Sequence, residues 1–294
     1  MALRDKLRAL RFYYKRNSRD LYRRAFVNHR KALWFPFLGE GEFIPRNGMQ
    51  PVVVPREHWS SLTTAARLVL MNAYPVWNRD TLTISFGRFT FRQPAGEKWT
   101  PQGMFVDDGW RIRNRDLRGK VVVDVGAFIG DSSIAYATQG AKVHAFEAVP
   151  TFARYVTENA RLNDLGDRIV VHTVALSDRN EVIRSSTAIK DLASMGHGCL
   201  PGEDALQEVR LVDALSYLRD NGIDKVDVLK MNCEGCEYDL FHDGRLLDEL
   251  QPEEVALEYH RGGEPIAHLL EAHGYEVDWP VHSHPKGLIF ARRV

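Results

Sequence analysis

Residues 119–150 read GKVVVDVGAFIGDSSIAYATQGAKVHAFEAVP, and this stretch decides the fold. The run 121–125 is rich in valine, which is typical of a strand buried on both faces. A glycine turn follows, and Asp131 begins a predicted helix. A second strand, 142–146, ends at Glu147. The stretch therefore predicts one βαβ unit, with a glycine turn after its first strand and an acid after its second.

The glycine turn and the acid together indicate a site for a nucleoside ligand. Gly126 and Gly130 lack Cβ atoms, so a ligand can approach the backbone, and the amides that begin the next helix attract an anionic group. Glu147 stands where an acid accepts hydrogen bonds from ribose hydroxyls. The Gly-x-x-x-Gly spacing differs from the Gly-x-Gly-x-x-Gly of dinucleotide sites. A glycine turn without a ligand is the alternative.

Strands and helices alternate from residue 119 onward. The predicted strands are 169–174, 226–231 and 255–257, with a hairpin of 275–277 and 288–291; the predicted helices are 151–163, 214–219 and 265–273. Residues 185–204 are predicted to form a long loop. This alternation predicts an α/β fold with a doubly wound, mostly parallel sheet, whose ligands bind beyond the carboxyl ends of the strands. The residues at those ends are Asp124, Gly126, Glu147, Ser177, Asp178, Asn232, Glu234, Glu258 and His260.

Residues 1–35 are predicted to form a basic amphipathic arm. Apolar residues recur at helical spacing from Leu3 to Tyr14, and eleven basic side chains stand against Asp5 and Asp20. Three interpretations are open. The arm packs on the body or on a second copy of the chain in a homodimer, binds an anionic membrane surface, or contacts nucleic acid.

Residues 36–115 are predicted as an α+β cap between the arm and the main domain, 116–294. The Gly- and Pro-rich stretch 35–58 reads as a linker or irregular cover. Residues 60–72 are predicted as a helix, and the alternation of apolar residues changes parity at Gly87, which predicts a turn or bulge.

Charge and cysteine usage narrow the class of protein. Lysine plus arginine equals aspartate plus glutamate at 39 each, so the excess of basic charge is confined to the arm. No apolar run approaches the ~20 residues of a membrane span, and no secretory signal is visible. Three cysteines are too few for a disulfide framework and indicate a reducing compartment. The expected location is the cytoplasm, with the arm offering contact to the inner membrane surface.

Four blocks of the sequence stand out: VDVGAFIGD (123–131), AFEAVP (145–150), VDVLKMNCEGCE (226–237) and LEYH (257–260). In their order and spacing they resemble the FkbM-type S-adenosylmethionine-dependent methyltransferases. The third block is the most specific. The resemblance implies a Rossmann-like class I methyltransferase fold and S-adenosylmethionine as the cofactor. It also implies O-methylation of a hydroxyl on a sugar, glycan, lipid or secondary metabolite.

The resemblance also implies which residues bind the cofactor. The turn after the first strand would line the methionine end, Glu147 would hold the ribose, and Ser177 and Asp178 would lie near the adenine. Asn232 stands where the family usually has Asp, and Phe128 where it usually has a polar residue. The cofactor-binding positions are Asp124, Gly126, Ala127, Phe128, Gly130, Asp131, Glu147, Ala148, Ser177, Asp178 and Asn232.

Methyl transfer from a sulfonium requires alignment of donor and acceptor and removal of a hydroxyl proton. Glu234, Glu258 and His260 are the candidates for the base or for orienting the acceptor, and Asn232 is placed with them. Glu234 leads because it follows the fourth strand. Alternatively, Glu234 has a structural role and caps the turn at Gly235. For His260 the alternative is a structural histidine on the surface.

Other readings of the sequence stay open. Cys233 and Cys236 are predicted as a turn-packed pair of thiols, with a redox pair or half a zinc site as alternatives, and no metal site is predicted. His282 and His284 are weak evidence for a metal. RNA methylation is an alternative function, because of the basic arm and the likeness of 158–163 to tRNA methyltransferases. A cofactor-binding scaffold without catalysis is another.

Overall fold

A computed structural model gives the structure of the protein. The described residues are 16–35, 40–184, 208–280 and 285–294. They divide into two compact units, with the boundary between Asp107 and Asp108. This boundary lies before the predicted one at 115/116, since Arg115 forms an ion pair of 2.7 Å with Glu254 in the sheet of the second unit.

The first unit combines short helices with two antiparallel sheets. Its helices are α1 (Arg16–Ala25), α2 (Lys31–Trp34) and α3 (Leu62–Leu70), with a 3₁₀ helix at Arg56–Ser61 and a π-helical turn at Gln102–Val106. Its strands are β1 (Glu40–Phe43), β2 (Val52–Pro55), β3 (Tyr74–Trp77), β4 (Thr81–Phe86) and β5 (Phe89–Pro94). β1 pairs with β2, and β3, β4 and β5 form one sheet. The turn predicted at Gly87 is confirmed between β4 and β5.

The prediction of a linker at 35–58 is wrong, because this stretch contains the β1–β2 hairpin. Phe43 lies opposite Val52 in the pairing register, and the side chains of Phe43, Val52 and Val54 are fully buried. Val52 and Val54 are two residues apart, so both point to the same face of their strand. Burial of these side chains outweighs the disordering influence of the surrounding glycines and prolines.

The structure packs part of the predicted arm, within residues 16–35, against the core of the first unit. Tyr22 and Ala25 of α1 and Phe26 directly after it are buried, and the hydroxyl of Tyr22 lies 3.1 Å from Oγ1 of Thr63. The residues from Leu3 to Tyr14, on which the membrane and nucleic-acid interpretations depend, lie outside the described residues. No helix that the structure describes is long and apolar enough to span a bilayer.

The second unit is built on a seven-stranded sheet. Its main strands are β6 (Val121–Val125), β7 (Lys142–Phe146), β8 (Ile169–His172), β12 (Val228–Met231), β13 (Glu254–Tyr259), β14 (Tyr275–Asp278) and β15 (Gly287–Arg293). Their order is β14-β15-β13-β12-β6-β7-β8, and only β15 runs against the others. The predicted doubly wound, mostly parallel sheet is thus confirmed, and so is the hairpin of its last two strands.

The helices of the second unit connect these strands. They are α4 (Asp131–Thr138), α5 (Pro150–Leu162), α6 (Ala214–Asp220), α7 (Cys236–Phe241), α8 (Arg245–Leu250) and α9 (Glu264–Ala272). One core joins β6, β12 and β13 to the helices α6, α7, α8 and α9, and its fully buried members include Met231, Leu257 and Leu270. The carboxyl ends of the parallel strands therefore meet at one rim.

The predicted third strand, 169–174, is divided in the structure. β8 ends at His172, and β9 (Ala175–Ser177) joins a separate sheet with β10 (Glu181–Arg184) and β11 (Glu208–Asp213). The chain leaves the main sheet because Val174 and Leu176 pack with Val212 into the core. The loop predicted at 185–204 lies outside the described residues.

Candidate functional site

Asp124 at the end of β6 anchors the glycine turn and the helix that follows. Its carboxylate is fully buried and accepts hydrogen bonds from the hydroxyls of Ser132 and Ser133, at 2.7 and 2.6 Å. These bonds tie the first turn of α4 to the strand. Asp131, which begins α4, is half-buried beside them.

Lys230, in the middle of β12, is a site residue that the sequence analysis missed. Its Nζ atom lies 2.8 Å from Oδ1 of Asp124 and 3.3 Å from the carbonyl oxygen of Gly126. The ring of Trp110 lies 5.0 Å away. The sequence feature that could have revealed it is a lysine inside the otherwise apolar stretch 228–231, because a buried cation requires a partner. Register supplies that partner, because Lys230 stands opposite Asp124 in the sheet.

The turn after β6 touches the turn after β12 through the backbone. Gly126 has a φ of +76°, and a Cβ atom added there would lie 2.0 Å from the carbonyl oxygen of Asn232. Only glycine fits this approach. Gly130 is also left-handed, and a Cβ atom added to it would lie 3.3 Å from the Cα of Val156. The glycines singled out in the sequence are thus explained by close packing at the rim.

Glu147 connects the glycine turn to the end of β7. Its Oε2 accepts the N–H of Phe128 at 2.8 Å, and its Oε1 accepts the N–H of Val149 at 2.9 Å. Burial raises the pKa of Glu147 to about 7, against the lowering effect of these two hydrogen bonds. Ala148 follows as a half-buried residue. The acid predicted to hold a ribose therefore lies against the backbone of the turn.

Phe128 and Ala127 contribute to this turn mainly through packing and backbone. The Phe128 ring lies 4.7 Å from the ring of Phe152 on α5, and its φ is +53°. Ala127 is fully buried, and its N–H donates to the carbonyl of Phe146.

Ser177 and Asp178 lie at the end of β9, away from the main sheet. Ser177 donates to Asp178, whose carboxylate also pairs with Arg179. Both line a shallow surface pocket together with Asp213, Asp239 of α7, Asp243 and residues of α8. Within the described part of the chain, neither polar group contacts the glycine turn or Glu147. Their predicted place near an adenine stays a prediction.

Glu234 and His260 come together at the rim, joined by Glu237. His260 Nε2 lies 3.3 Å from Glu234, and its Nδ1 lies 3.0 Å from Glu237. Burial of His260 opposes its charge, but the two carboxylates outweigh burial and raise its pKa to about 9. His260 is therefore an imidazolium at neutral pH and has no lone pair to accept a proton. Among the predicted bases, this finding favours Glu234.

The carboxylate of Glu234 is held and still accessible. Its side chain is 18% exposed, and Nζ of Lys286 lies 3.6 Å from the same oxygen that faces His260. The φ of Glu234 is +57°, a conformation that non-glycine residues adopt at a cost of ~1–3 kcal/mol. Such strain is often found at functional sites.

Glu258 and Asn232 complete the predicted set. Glu258 is half-buried and points away from Leu257 and Tyr259, which face the core. Among the described residues its carboxylate has no ion-pair or hydrogen-bond partner. Asn232 stands beside the glycine turn, and its buried Oδ1 likewise has no partner in the described chain.

Cys233 and Cys236 form a disulfide in the structure, so the prediction of free thiols is wrong for this state. Their Cα atoms are 5.5 Å apart, within the range that a disulfide spans. The turn of the chain at Gly235 brings them together. Cys199, His282 and His284 lie outside the described residues.

The raised pKa of His260 predicts a specific loss of stability in base. The charged ring contributes its full stabilisation below pH 6.5, and this is lost as the pH rises through about 9. Between these values, the free energy of unfolding of the wild type should fall by roughly 2–3 kcal/mol more than that of His260→Gln. Urea titrations between pH 6.5 and 9 measure the free energy of unfolding of both proteins. If it changes with pH in the same way in both, His260 does not form a stabilising charged cluster with Glu234 and Glu237.

The strand order and the rim define the class of the protein. The sheet is parallel except for β15, which runs in the opposite direction between β14 and β13, and a glycine turn follows β6. This arrangement is the class I methyltransferase fold. The profile of the methyltransferase FkbM domain matches residues 124–277. The chain belongs to this family, whose methyl donor is S-adenosylmethionine. The resemblance of the four sequence blocks is confirmed.

Comparison with known proteins adds solved structures of low similarity. They include a tRNA methyltransferase of M. jannaschii (13% identity, 74% of this chain and 55% of that one, TM-score 0.45), methyltransferase FkbM from Methylobacillus flagellatus KT (16%, 81% and 55%, 0.43) and the methyltransferase domain of METTL16 (14%, 88% and 88%, 0.48). The chain spans about half the length of the first two. No curated protein sequence matches it.

Proposed function

We propose that the protein transfers a methyl group from S-adenosylmethionine to a hydroxyl oxygen of a small molecule, sugar, glycan or lipid. The observation that carries this proposal is Glu234. Its accessible carboxylate is held by His260 and Lys286 directly after β12, next to the backbone contact of Asn232 with the glycine turn. A carboxylate in this position suits an acceptor whose proton must leave.

The residues at the rim fit the cofactor. The buried Oδ1 of Asn232 lacks a partner among the described residues, and the cofactor carries an ammonium group that can donate to it. Each carboxylate oxygen of Glu147 accepts one backbone N–H and keeps a second lone pair for a ribose hydroxyl. When bound, the cofactor supplies the methyl group on a sulfonium, which requires no metal for its transfer. Asp124 and Lys230 hold the turn in place beneath it.

The chain itself then orients the acceptor and accepts its proton. Glu234 receives the hydroxyl proton on the carboxylate, while the charged His260 keeps that carboxylate in place through their ion pair. Glu237 fixes the ring from the other side. Alignment of the acceptor with the methyl donor contributes the rest of the rate enhancement over the uncatalysed reaction.

Replacing Asn232 with Ala should weaken cofactor binding by about 10–100-fold, the usual effect of losing a hydrogen bond to a charged group. Asn232→Asp is the matched variant, because its carboxylate also accepts from an ammonium and should retain affinity. Calorimetric titration with S-adenosylmethionine measures both. Equal affinities of the wild type and Asn232→Ala would remove Asn232 from the binding site.

A methyl-transfer screen tests the reaction. The purified protein and radiolabelled S-adenosylmethionine are incubated with glycans, lipids, small hydroxyl compounds and RNA. We expect label on a hydroxyl compound, resistant to mild alkali as a methyl ether is, and formed at least about 100-fold more slowly by Glu234→Gln. Label on RNA alone would contradict the proposal in favour of RNA methylation, and cofactor binding without transfer to any acceptor would favour a binding scaffold.

A further inference from the structure

The turn after β12 brings two sulfur atoms and a buried carboxylate together. One ligand atom each of Cys233, Cys236 and Glu237 lies within 4.8 Å of the other two. In the structure the two sulfurs are bonded to each other. We propose that reduction of this disulfide creates a binding site for one thiophilic divalent cation of the zinc class, held by the two thiolates and Glu237.

The backbone of the turn suits this ligand set. Zinc–sulfur bonds of about 2.3 Å in a tetrahedral site place two thiolates roughly 3.8 Å apart. With the Cα atoms of the cysteines 5.5 Å apart, rotation about the Cα–Cβ bonds reaches that separation without moving the backbone. Oε2 of Glu237 accepts the N–H of Gly235 at 2.9 Å and keeps a lone pair that can face the cation. Three protein ligands leave a fourth position for water or another ligand.

Charge balance also favours a divalent cation here. Two thiolates and the Glu237 carboxylate carry three negative charges, and Glu237 is fully buried. His260 Nδ1, 3.0 Å from the other oxygen of Glu237, fixes the orientation of the carboxylate. A doubly charged ion offsets most of the negative charge of the three ligands. Zinc prefers thiolate and carboxylate ligands of this kind, whereas Mg²⁺ and Ca²⁺ prefer oxygen ligands alone.

The disulfide and the cation exclude each other. A phosphine reductant breaks the sulfur–sulfur bond, takes the oxygen of one water molecule to become phosphine oxide, and leaves two thiols that carry the two water hydrogens. Binding of the cation then releases both thiol protons. The site therefore exists only in the reduced protein. The site shares Glu237 with the cluster that holds Glu234. Its metal titration requires no methyl transfer, so the two proposals are tested separately.

Cobalt(II) is the probe, because thiolate ligands give it an intense charge-transfer absorption in the near ultraviolet. The full chain is reduced with a phosphine, freed of reductant without oxygen, and titrated. We expect one Co²⁺ per chain with this absorption, displaced by Zn²⁺, and no such absorption in the oxidised protein. Cys236→Ser should lose it, and Cys199→Ser, which keeps the pair intact, should retain it.

Three results would overturn the proposal: no cobalt binding by the reduced protein, binding without thiolate absorption, or equal absorption in Cys236→Ser. Cys233→Ala is the second variant, in case Cys236→Ser does not fold as judged by circular dichroism. Loss of the signal in Cys199→Ser would also count against the assigned ligands.

Discussion

Glu234→Gln is expected to lower kcat by about 10²–10⁴-fold, the usual contribution of a positioned general base. Glutamine keeps the size of the side chain but cannot accept the hydroxyl proton. Because the carboxylate acts on the acceptor, the affinity for S-adenosylmethionine should stay within about twofold of the wild type. Steady-state rates with an acceptor from the screen and calorimetry with the cofactor measure the two effects separately.

The matched control for this variant is Glu264→Gln. Glu264 is an exposed carboxylate in the first turn of α9, outside the rim, so its replacement should leave kcat unchanged. Glu258→Gln is informative as well, because Glu258 was predicted with Glu234 but has no polar contact among the described residues. Undiminished turnover of Glu234→Gln would contradict its role as the base.

Lys230→Met is expected to destabilise the protein by about 3–5 kcal/mol, the cost of leaving one partner of a buried ion pair uncompensated. The Lys230 side chain is 3% exposed and that of Asp124 is 0% exposed, at 2.8 Å from each other. Methionine matches the length of the lysine stem, so the change removes the charge with little loss of packing. Urea unfolding at neutral pH measures the difference.

Lys225→Met is the control for this prediction. Lys225 also pairs with a buried carboxylate, Asp227, but is itself 65% exposed, and Lys120 remains as a second partner. Its replacement should cost less than about 1 kcal/mol. Adding Asp124→Asn to Lys230→Met should recover part of the loss, since the uncompensated charge is then gone. If Lys230→Met and Lys225→Met lower the free energy of unfolding equally, Lys230 and Asp124 do not form a strongly stabilising ion pair.

Local patterns predicted the parts of the fold that depend on neighbours in the chain. The valine run before Gly126 and the acid after the next strand identified the βαβ unit, and alternation around Gly87 identified the turn between β4 and β5. The β1–β2 hairpin was missed because its many glycines and prolines obscured the two-residue alternation of Val52 and Val54. Burial against the rest of the first unit decides that segment.

The positions of site residues could be predicted from the sequence where polar residues directly follow a strand. They could not be predicted where the pairing of distant strands brings two residues together. Glu234, Asn232 and Glu147 directly follow strands, and the structure places all three at the rim, while their roles stay predictions. Lys230 was missed because its partner, Asp124, lies more than a hundred residues earlier and becomes adjacent only through sheet register. The charged state of His260 likewise depends on two carboxylates that meet it only in the fold. The sequence analysis favoured free thiols for Cys233 and Cys236, because no local pattern shows that the turn at Gly235 brings the two sulfurs within bonding distance.

Titration of S-adenosylmethionine into the wild type and into Glu147→Gln tests the central claim most directly. The wild type should bind one molecule per chain. Above pH 8, where Glu147 with its pKa of about 7 is ionised, Glu147→Gln should bind the cofactor about 10–100-fold more weakly, because the amide replaces a charged acceptor for the ribose hydroxyls. A wild type that gives no binding heat at any temperature tried, or a variant that binds as tightly as the wild type, would contradict a nucleoside site at the glycine turn.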